Sequence, residues 1–377
     1  MTAVAPPRNL PESETLLLAK TDFQAFLDQL WQGGYRVIGP TIAQQAIVYD
    51  EVRRVEDLPR GWTDEQRGGQ YRLKRRDDDA WFGFVVGPHS PKRYFFPPQV
   101  AVAQADRTAN GWQFSEVPDQ EPPYALLGVR ACELGAIAVQ DRTFINEQYV
   151  DPIYRRRRER ALIVAVNCTQ AASTCFCTSM KTGPRCTKGF DLALTELPDS
   201  FTVEVGSDRG EEVLSTLPTI MATPSMLRQA ENVRQQAVDQ ITKRLDTKDI
   251  RDLLLGSLEH PRWDEVATRC LSCTNCTMVC PTCFCSSVKE VSDLTGDHVQ
   301  REREWDTCFN WDFSYMNGGI VRNQIRSRYR QWLTHKLASW IDQFGVSGCV
   351  GCGRCITWCP VAIDLTEEVA AIRENPA

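Results

Sequence analysis

No stretch of this 377-residue chain strings together the roughly eighteen apolar residues that a membrane-spanning helix needs, so a place within a bilayer is not expected. Basic residues are in the minority, 43 Lys and Arg against 49 Asp and Glu, for a formal net charge of -6. A chain of that sign is a poor match for the phosphate backbone of nucleic acid. The N-terminal MTAVAPPRNLPESETLLLAK lacks a charged region leading into an apolar core and lacks a cleavage site, which predicts a cytoplasmic location. A nucleotide loop is missing as well. The glycine-rich GCVGCGRC has neither the preceding strand nor the following helix and distant acidic residue of a dinucleotide fingerprint. With no nucleophile–base pair and no open-site ligand set in view, a self-contained active site is not expected.

What the chain has in abundance is cysteine, sixteen in all, within a composition that is 42% hydrophobic and so able to build proper cores. In a reducing cytosol such cysteines are metal ligands or catalytic thiols rather than disulfides. Cys270, Cys273, Cys276 and Cys280 followed by Pro281 spell C-x2-C-x2-C-x3-C-P, and Cys349, Cys352, Cys355 and Cys359 followed by Pro360 spell it again. This is the bacterial ferredoxin run, in which the fourth cysteine serves the other cluster. One 4Fe-4S cluster is therefore expected on Cys270, Cys273, Cys276 and Cys359, the other on Cys349, Cys352, Cys355 and Cys280. Two zinc sites or buried thiols would have to produce that register twice by accident. Gly348, Gly351 and Gly353 interleave with the second run, where glycine lets backbone N–H groups approach cluster sulfur and tune its potential.

A second oddity is the hexapeptide TCFCTS at 174–179, repeated almost unchanged as TCFCSS at 282–287. The first copy follows a legible unit. YALLGVR reads as a buried strand, CELGAIAVQDRTF as a helix and ALIVAVN as a second buried strand, which makes a parallel βαβ unit with both strand ends on one sheet edge. Cys132 and Cys168 emerge at that edge, where open α/β sheets bind ligands. Cys175 and Cys177 follow, about 6.6 Å apart on one side of an extended chain. The four are read as a third 4Fe-4S site, with packing cysteines, or Cys186 in place of one of them, as the rival readings. Cys186, Cys283, Cys285 and Cys308 would then suffice for a fourth cluster, or else simply pack.

The expected architecture is α+β: a strand-rich region at 1–122, an α/β domain at 123–258 ending in an amphipathic bridging helix with Val233, Ala237, Ile241 and Leu245 in register, and a two-cluster ferredoxin-like domain at 259–377. A long helical insertion at 281–348 interrupts the last. In it Ile325, Tyr329, Trp332, Leu333, Leu337, Trp340 and Ile341 form a core stripe, with His335 and Lys336 on or near the solvated face. The basic YRRRRER at 154–160 reads as a solvated face.

Taken together, YALLGVRACELGAIAVQDRTF, NCTQAASTCFCTSMKTGP, RCLSCTNCTMVCPTCFCSSVKEVSDLTG, EWDTCFNWDF and GCVGCGRCITWCPVAID resemble the 4Fe-4S dicluster family. Its members include the beta subunit of cytoplasmic sulfhydrogenases, the NAD(P)-linked nickel-iron hydrogenases, and the corresponding iron–sulfur subunit of anaerobic sulfite reductase. The resemblance implies an electron-transfer subunit beside a flavoprotein that binds FAD and NAD(P)H. It also implies either hydrogenase small and large subunits or a sulfite reductase subunit. A redox sensor or scaffold whose clusters are structural is the reading from a different class.

Overall fold

The structure, a computed structural model, describes residues 15–375; the stretch at 1–14 that was read for a targeting signal lies outside the described residues. An eight-stranded sheet forms the larger part, in the order Ile220–Met221, Leu16–Ala19, Ser200–Val205, Leu192–Glu196, Leu162–Val166, Tyr124–Val129, Arg36–Ala43, Ala46–Glu51. The neighbours from Arg36–Ala43 through Tyr124–Val129 and Leu162–Val166 to Leu192–Glu196 run parallel, and the flanking strands antiparallel. The last three of those parallel strands are buried along their whole length, as strands covered on both faces must be. Alternate side chains divide between two cores. Leu127, Val164, Val166 and Leu194 pack against Phe23, Phe26, Leu27 and Leu30 of the helix Phe23–Gln32. Leu126, Ile163, Ala165 and Ala193 pack against Leu134, Ile137 and Tyr154 on the opposite face, the last from the helix Pro152–Arg160.

Strands from either side of residue 122 share this sheet, so the expected boundary at 122/123 falls inside one folded layer. The insertion departs from its reading as a helical segment. Ser286–Ser292 and His298–Trp305 form a hairpin, and His298–Trp305 pairs with Gln99–Thr108, which in turn pairs with Gly111–Ser115, in a separate four-stranded sheet. The alternation in SSVKEVS and HVQREREW, with TGD between them, was the overlooked signal. Helix begins only at Ile325–Thr334, followed by a π-helical turn His335–Ser339 and Trp340–Phe344.

The stripe is core: Tyr329, Trp332, Leu333, Leu337 and Trp340 are buried, with Ile325 and Ile341 half-buried. Lys336 corrects the expectation of a solvated face, because it is only 3% exposed. The π turn inserts an extra residue and rotates Lys336 inward beside Leu337. The bridging helix spans Pro224–Gln240 and stops short of its expected end. Ile241 and Leu245 continue as a non-helical strap, tied down by Leu245 N–H to Ser179 Oγ and by Lys243 to Asp364. In the basic run, Arg157 turns inward to a bidentate pair with Asp119, while Arg155 and Arg156 stay exposed.

Candidate metal centres

The two ferredoxin runs coil alike. Cys270 closes the helix Arg262–Arg269, and the next turn carries Ser272 at φ 49° and Thr274 at φ 70°. The equivalent positions of the second run are Gly351 at φ 67° and Gly353 at φ 77°. Each left-handed step turns a backbone N–H back toward the first thiol of its run: Ser272 to Cys270 Sγ at 3.5 Å and Gly351 to Cys349 Sγ at 3.4 Å. Serine achieves this as well as glycine, so approach to sulfur is not what singles out the glycines. A side chain at Gly351 would place its Cβ 2.7 Å from the Cys177 backbone, and one at Gly353 would lie 2.4 Å from the Thr174 carbonyl oxygen. Glycine is needed because the first CFC loop packs flat on the second run. Gly348 gives way in the same sense to the Trp340 ring, 2.5 Å from a would-be Cβ.

That loop is held by Phe176 N–H to the Gly351 carbonyl at 2.9 Å, Thr182 Oγ1 to the Val350 carbonyl at 2.6 Å, and Thr174 to Thr357 at 3.0 Å. The flanking threonine of the second hexapeptide has a different role. Thr282 Oγ1 donates to the Gly348 carbonyl at 2.6 Å and lies 3.1 Å from Cys280 Sγ.

The thiols fall into sets. Burial lifts the Cys276 thiol far above the usual range, and the charges that add to this come from Cys270, Cys359 and Cys273 and, least, from Cys280 of its own run. Burial likewise raises Cys355, Cys352 and Cys349, the last to about 12, and Cys280 is a charged neighbour of all three. Cys280 thus sits with Cys349, Cys352 and Cys355 of the other run, and Cys359 with Cys270 and Cys276. Cys175 and Cys177 are raised by burial, and charge from Cys168 and Cys352 acts on both. Cys132, at the start of the helix Ala131–Phe144, is raised by burial and then by Cys352 and Cys177. The four predicted residues of the third site are therefore neighbours, and Cys352 of the second run borders them.

Cys186 is fully buried beside Cys168, its N–H bonded to Asn167 Oδ1 at 2.7 Å. Cys283, Cys285 and Cys308 lie elsewhere, Cys283 next to Cys280, Cys285 next to Cys308, and Cys308 within charge range of Cys276. The remaining four cysteines are thus not brought together. A hydrogen bond from the Cys308 thiol holds Cys285 down at about 7.

Several functional neighbours escaped the sequence reading. Lys336 donates to Cys280 Sγ at 3.3 Å and Cys283 Sγ at 3.6 Å. Burial works against its charge, but the Cys280 and Cys283 thiols outweigh that and hold its pKa well above the lysine range. The Cys283 thiol donates to Cys280 and, with Lys336, keeps Cys280 well below the ordinary thiol value despite burial. Lys92 is a second buried ammonium, pushed down to about 8 mainly by burial, on the Cys283 carbonyl at 3.2 Å and over the Trp305 ring. Arg354, between Cys352 and Cys355, pairs with Glu133, and both side chains are 0% exposed. Glu133 also accepts from Tyr49 Oη at 2.8 Å and Arg130 N–H at 2.9 Å. Only position within a cysteine run marked Arg354, and nothing local marked the lysines.

Among the described residues no three Cys, His, Asp or Glu side chains close around a point that a single metal ion could occupy. A 4Fe-4S cube asks for something else, one thiolate on each iron and hence four sulfurs spread around a larger object. Buried thiols at charge–charge range, with backbone N–H groups aimed at sulfur, fit that group.

Residues 269–363 match the family model of the 4Fe-4S dicluster domain. The whole chain is similar to sulfhydrogenase 2 subunit beta of Pyrococcus furiosus, 29% identical over 356 residues that cover 94% of this chain and 96% of that protein. No solved structure matches. Twin ferredoxin runs and crosswise thiol neighbourhoods thus coincide with these two likenesses, a 4Fe-4S dicluster domain at 269–363 and a near full-length similarity to a sulfhydrogenase beta subunit.

Proposed function

We propose that this chain is the electron-transfer subunit of a cytoplasmic nickel-iron hydrogenase complex, relaying single electrons between a flavoprotein partner that binds FAD and NAD(P)H and the hydrogenase subunits. The observation that carries the reading is the near full-length likeness to a sulfhydrogenase beta subunit, which extends well beyond the ferredoxin runs. In this reading Cys270, Cys273, Cys276 and Cys359 hold one 4Fe-4S cluster, Cys349, Cys352, Cys355 and Cys280 a second, and Cys132, Cys168, Cys175 and Cys177 a third. Bound clusters supply one-electron reduction and reoxidation.

The chain's own residues do the rest. The CFC loop, clamped onto the second run through Phe176 and Thr182, keeps the Cys175–Cys177 pair against Cys352, so the third thiol set adjoins the second. Cys352 is buried and Cys276 and Cys355 are half-buried, which limits water at these sulfurs, whereas Cys273 is exposed. Among the described residues no helix is long and apolar enough to cross a membrane, in keeping with partners met in solution.

A hydride arrives as an electron pair, whereas these thiol sets suit one-electron carriers, so a flavin is needed between them. The purified, iron-loaded chain is therefore expected to stay oxidised with NADH or NADPH under anaerobic conditions, and to bleach with dithionite. Addition of the co-purifying flavoprotein should make NAD(P)H competent. Rapid bleaching by NAD(P)H alone overturns the relay. Identification of partners after anaerobic affinity purification separates the hydrogenase reading from the equivalent subunit of a sulfite reductase. Recovery without partners, with clusters lost on reduction, supports a sensor.

A further inference from the structure

The fourth thiols of the two ferredoxin runs occupy unlike surroundings. Cys359 Sγ accepts the Ile363 N–H at 3.3 Å. Cys280 Sγ meets the Lys336 ammonium at 3.3 Å and the Thr282 hydroxyl at 3.1 Å, with Cys283 Sγ 3.6 Å from the same ammonium. Lys336 Nζ also donates to Thr282 Oγ1 at 3.2 Å and the Gly348 carbonyl at 3.3 Å, and lies 5.9 Å from the Trp332 ring centroid. Among the described residues no carboxylate is bonded to this ammonium. A buried cation with sulfur as its counterpart is costly to keep unless the sulfur carries negative charge.

The backbone fixes the arrangement. The Lys336 carbonyl accepts the Gly348 N–H at 2.8 Å, and its ammonium returns to the Gly348 carbonyl, so both ends of the residue hold the entry of the second run. The π turn His335–Ser339 aims the side chain between Cys280 and Gly348. Among the described residues, the set Cys270, Cys273, Cys276 and Cys359 has no matching lysine among the bonds to its thiols.

We infer that Lys336 is the built-in counter-charge of the cluster held by Cys280, Cys349, Cys352 and Cys355, a positioning residue that raises its reduction potential above that of the sister cluster on Cys270, Cys273, Cys276 and Cys359. The inference rests on the crosswise ligand reading. One more electron makes a cluster and its thiolates more negative, and a fixed cation in a poorly screened interior favours that state. Charge and hydrogen bonds to sulfur are among the protein's levers on cluster potential. The two clusters thereby become unequal, with electrons resting preferentially on the Cys280 side, where Cys352 borders the third thiol set.

The test is an EPR-monitored redox titration of the anaerobically purified, iron-loaded full chain and its Lys336→Met variant. Lys336→Met should lower one midpoint by at least a tenfold change in the reduction equilibrium constant, 59 mV for a one-electron couple, and leave the sister signal in place. Lys336→Gln, which keeps an N–H donor and drops the charge, should shift the same midpoint in the same direction. Unchanged midpoints with full iron overturn the inference, as do equal shifts of both clusters. A shift in Met but not in Gln assigns the effect to the hydrogen bond and overturns the role of charge. Loss of iron from both variants also overturns it, since Lys336 would then be a structural pin. Failure of the crosswise ligand reading has a different signature, because Cys280→Ser would then remove the signal of the Cys270 run.

Discussion

At the scale of single residues, the crosswise neighbourhoods of Cys280 and Cys359 carry the sharpest expectation. Cys280→Ser should damage the cluster associated with Cys349, Cys352 and Cys355, and Cys359→Ser the one associated with Cys270, Cys273 and Cys276. Anaerobic EPR of the two variants checks this, and loss of the sequence-local cluster in each would rule the pairing out. Glycine provides a second case. Gly353→Ala combines a left-handed backbone with a Cβ 2.4 Å from the Thr174 carbonyl oxygen, so it should destabilise by about 1–3 kcal/mol or more and loosen the CFC loop. Thr274→Gly, at the equivalent turn of the first run, should be mild, because Thr274 already sits at φ 70° and glycine relieves that strain while freeing the unfolded chain. Thermal unfolding of the two iron-loaded variants tests the contrast. The cysteines and their spacing could be read directly from the sequence. The need for glycine at 351 and 353 could not, because its cause is a loop more than 170 residues away in the chain, which only folding brings close.

At the scale of elements, the first CFC loop is the joint between the sheet and the ferredoxin runs. Phe176 is fully buried and packs in a core that includes Leu245, Trp263, Leu337 and Ile356, drawn from several parts of the chain. Phe176→Ala should cost about 3–5 kcal/mol, as truncations of buried aromatics do. It should also release Cys175 and Cys177 from their neighbours, and iron per chain should fall while the two ferredoxin signals survive. A variant with normal iron would show that the loop does not depend on its anchor. The parallel strands were legible because continuous apolar runs such as ALIVAV suit burial on both faces. The hairpin at 286–305 was missed, since its alternation is mostly polar and its partner strand Gln99–Thr108 lies far away in the chain. Half-buried strands without an apolar face leave little trace in composition.

Across the whole molecule, a buried ion pair joins the sheet to the second run. Glu133, at the first turn of Ala131–Phe144, meets Arg354, which also donates to the Gly87 carbonyl at 2.7 Å and the His89 carbonyl at 2.9 Å. Glu133→Gln or Arg354→Met alone should cost about 3–5 kcal/mol by stranding a buried charge. The double variant should cost clearly less than the sum, which denaturant unfolding in a double-mutant cycle measures. Additive losses would mean that the two groups act separately. Iron content tests the molecule in another way. Two ferredoxin sites call for about 8 irons per chain, and the set Cys132, Cys168, Cys175 and Cys177 raises the expectation to roughly 12. A fully loaded chain that stops at 8 removes the third cluster. By itself the sequence determined the chemistry, because metal-ligand spacing and hydrophobic period are local properties that a few consecutive residues express. Only the tertiary structure decided which thiols become neighbours, that Cys186 stands apart from Cys283, Cys285 and Cys308, and that Lys336 is buried on sulfur rather than solvated. Those outcomes depend on long-range packing and on burial of charge, whose energies arise only when distant segments exclude water together.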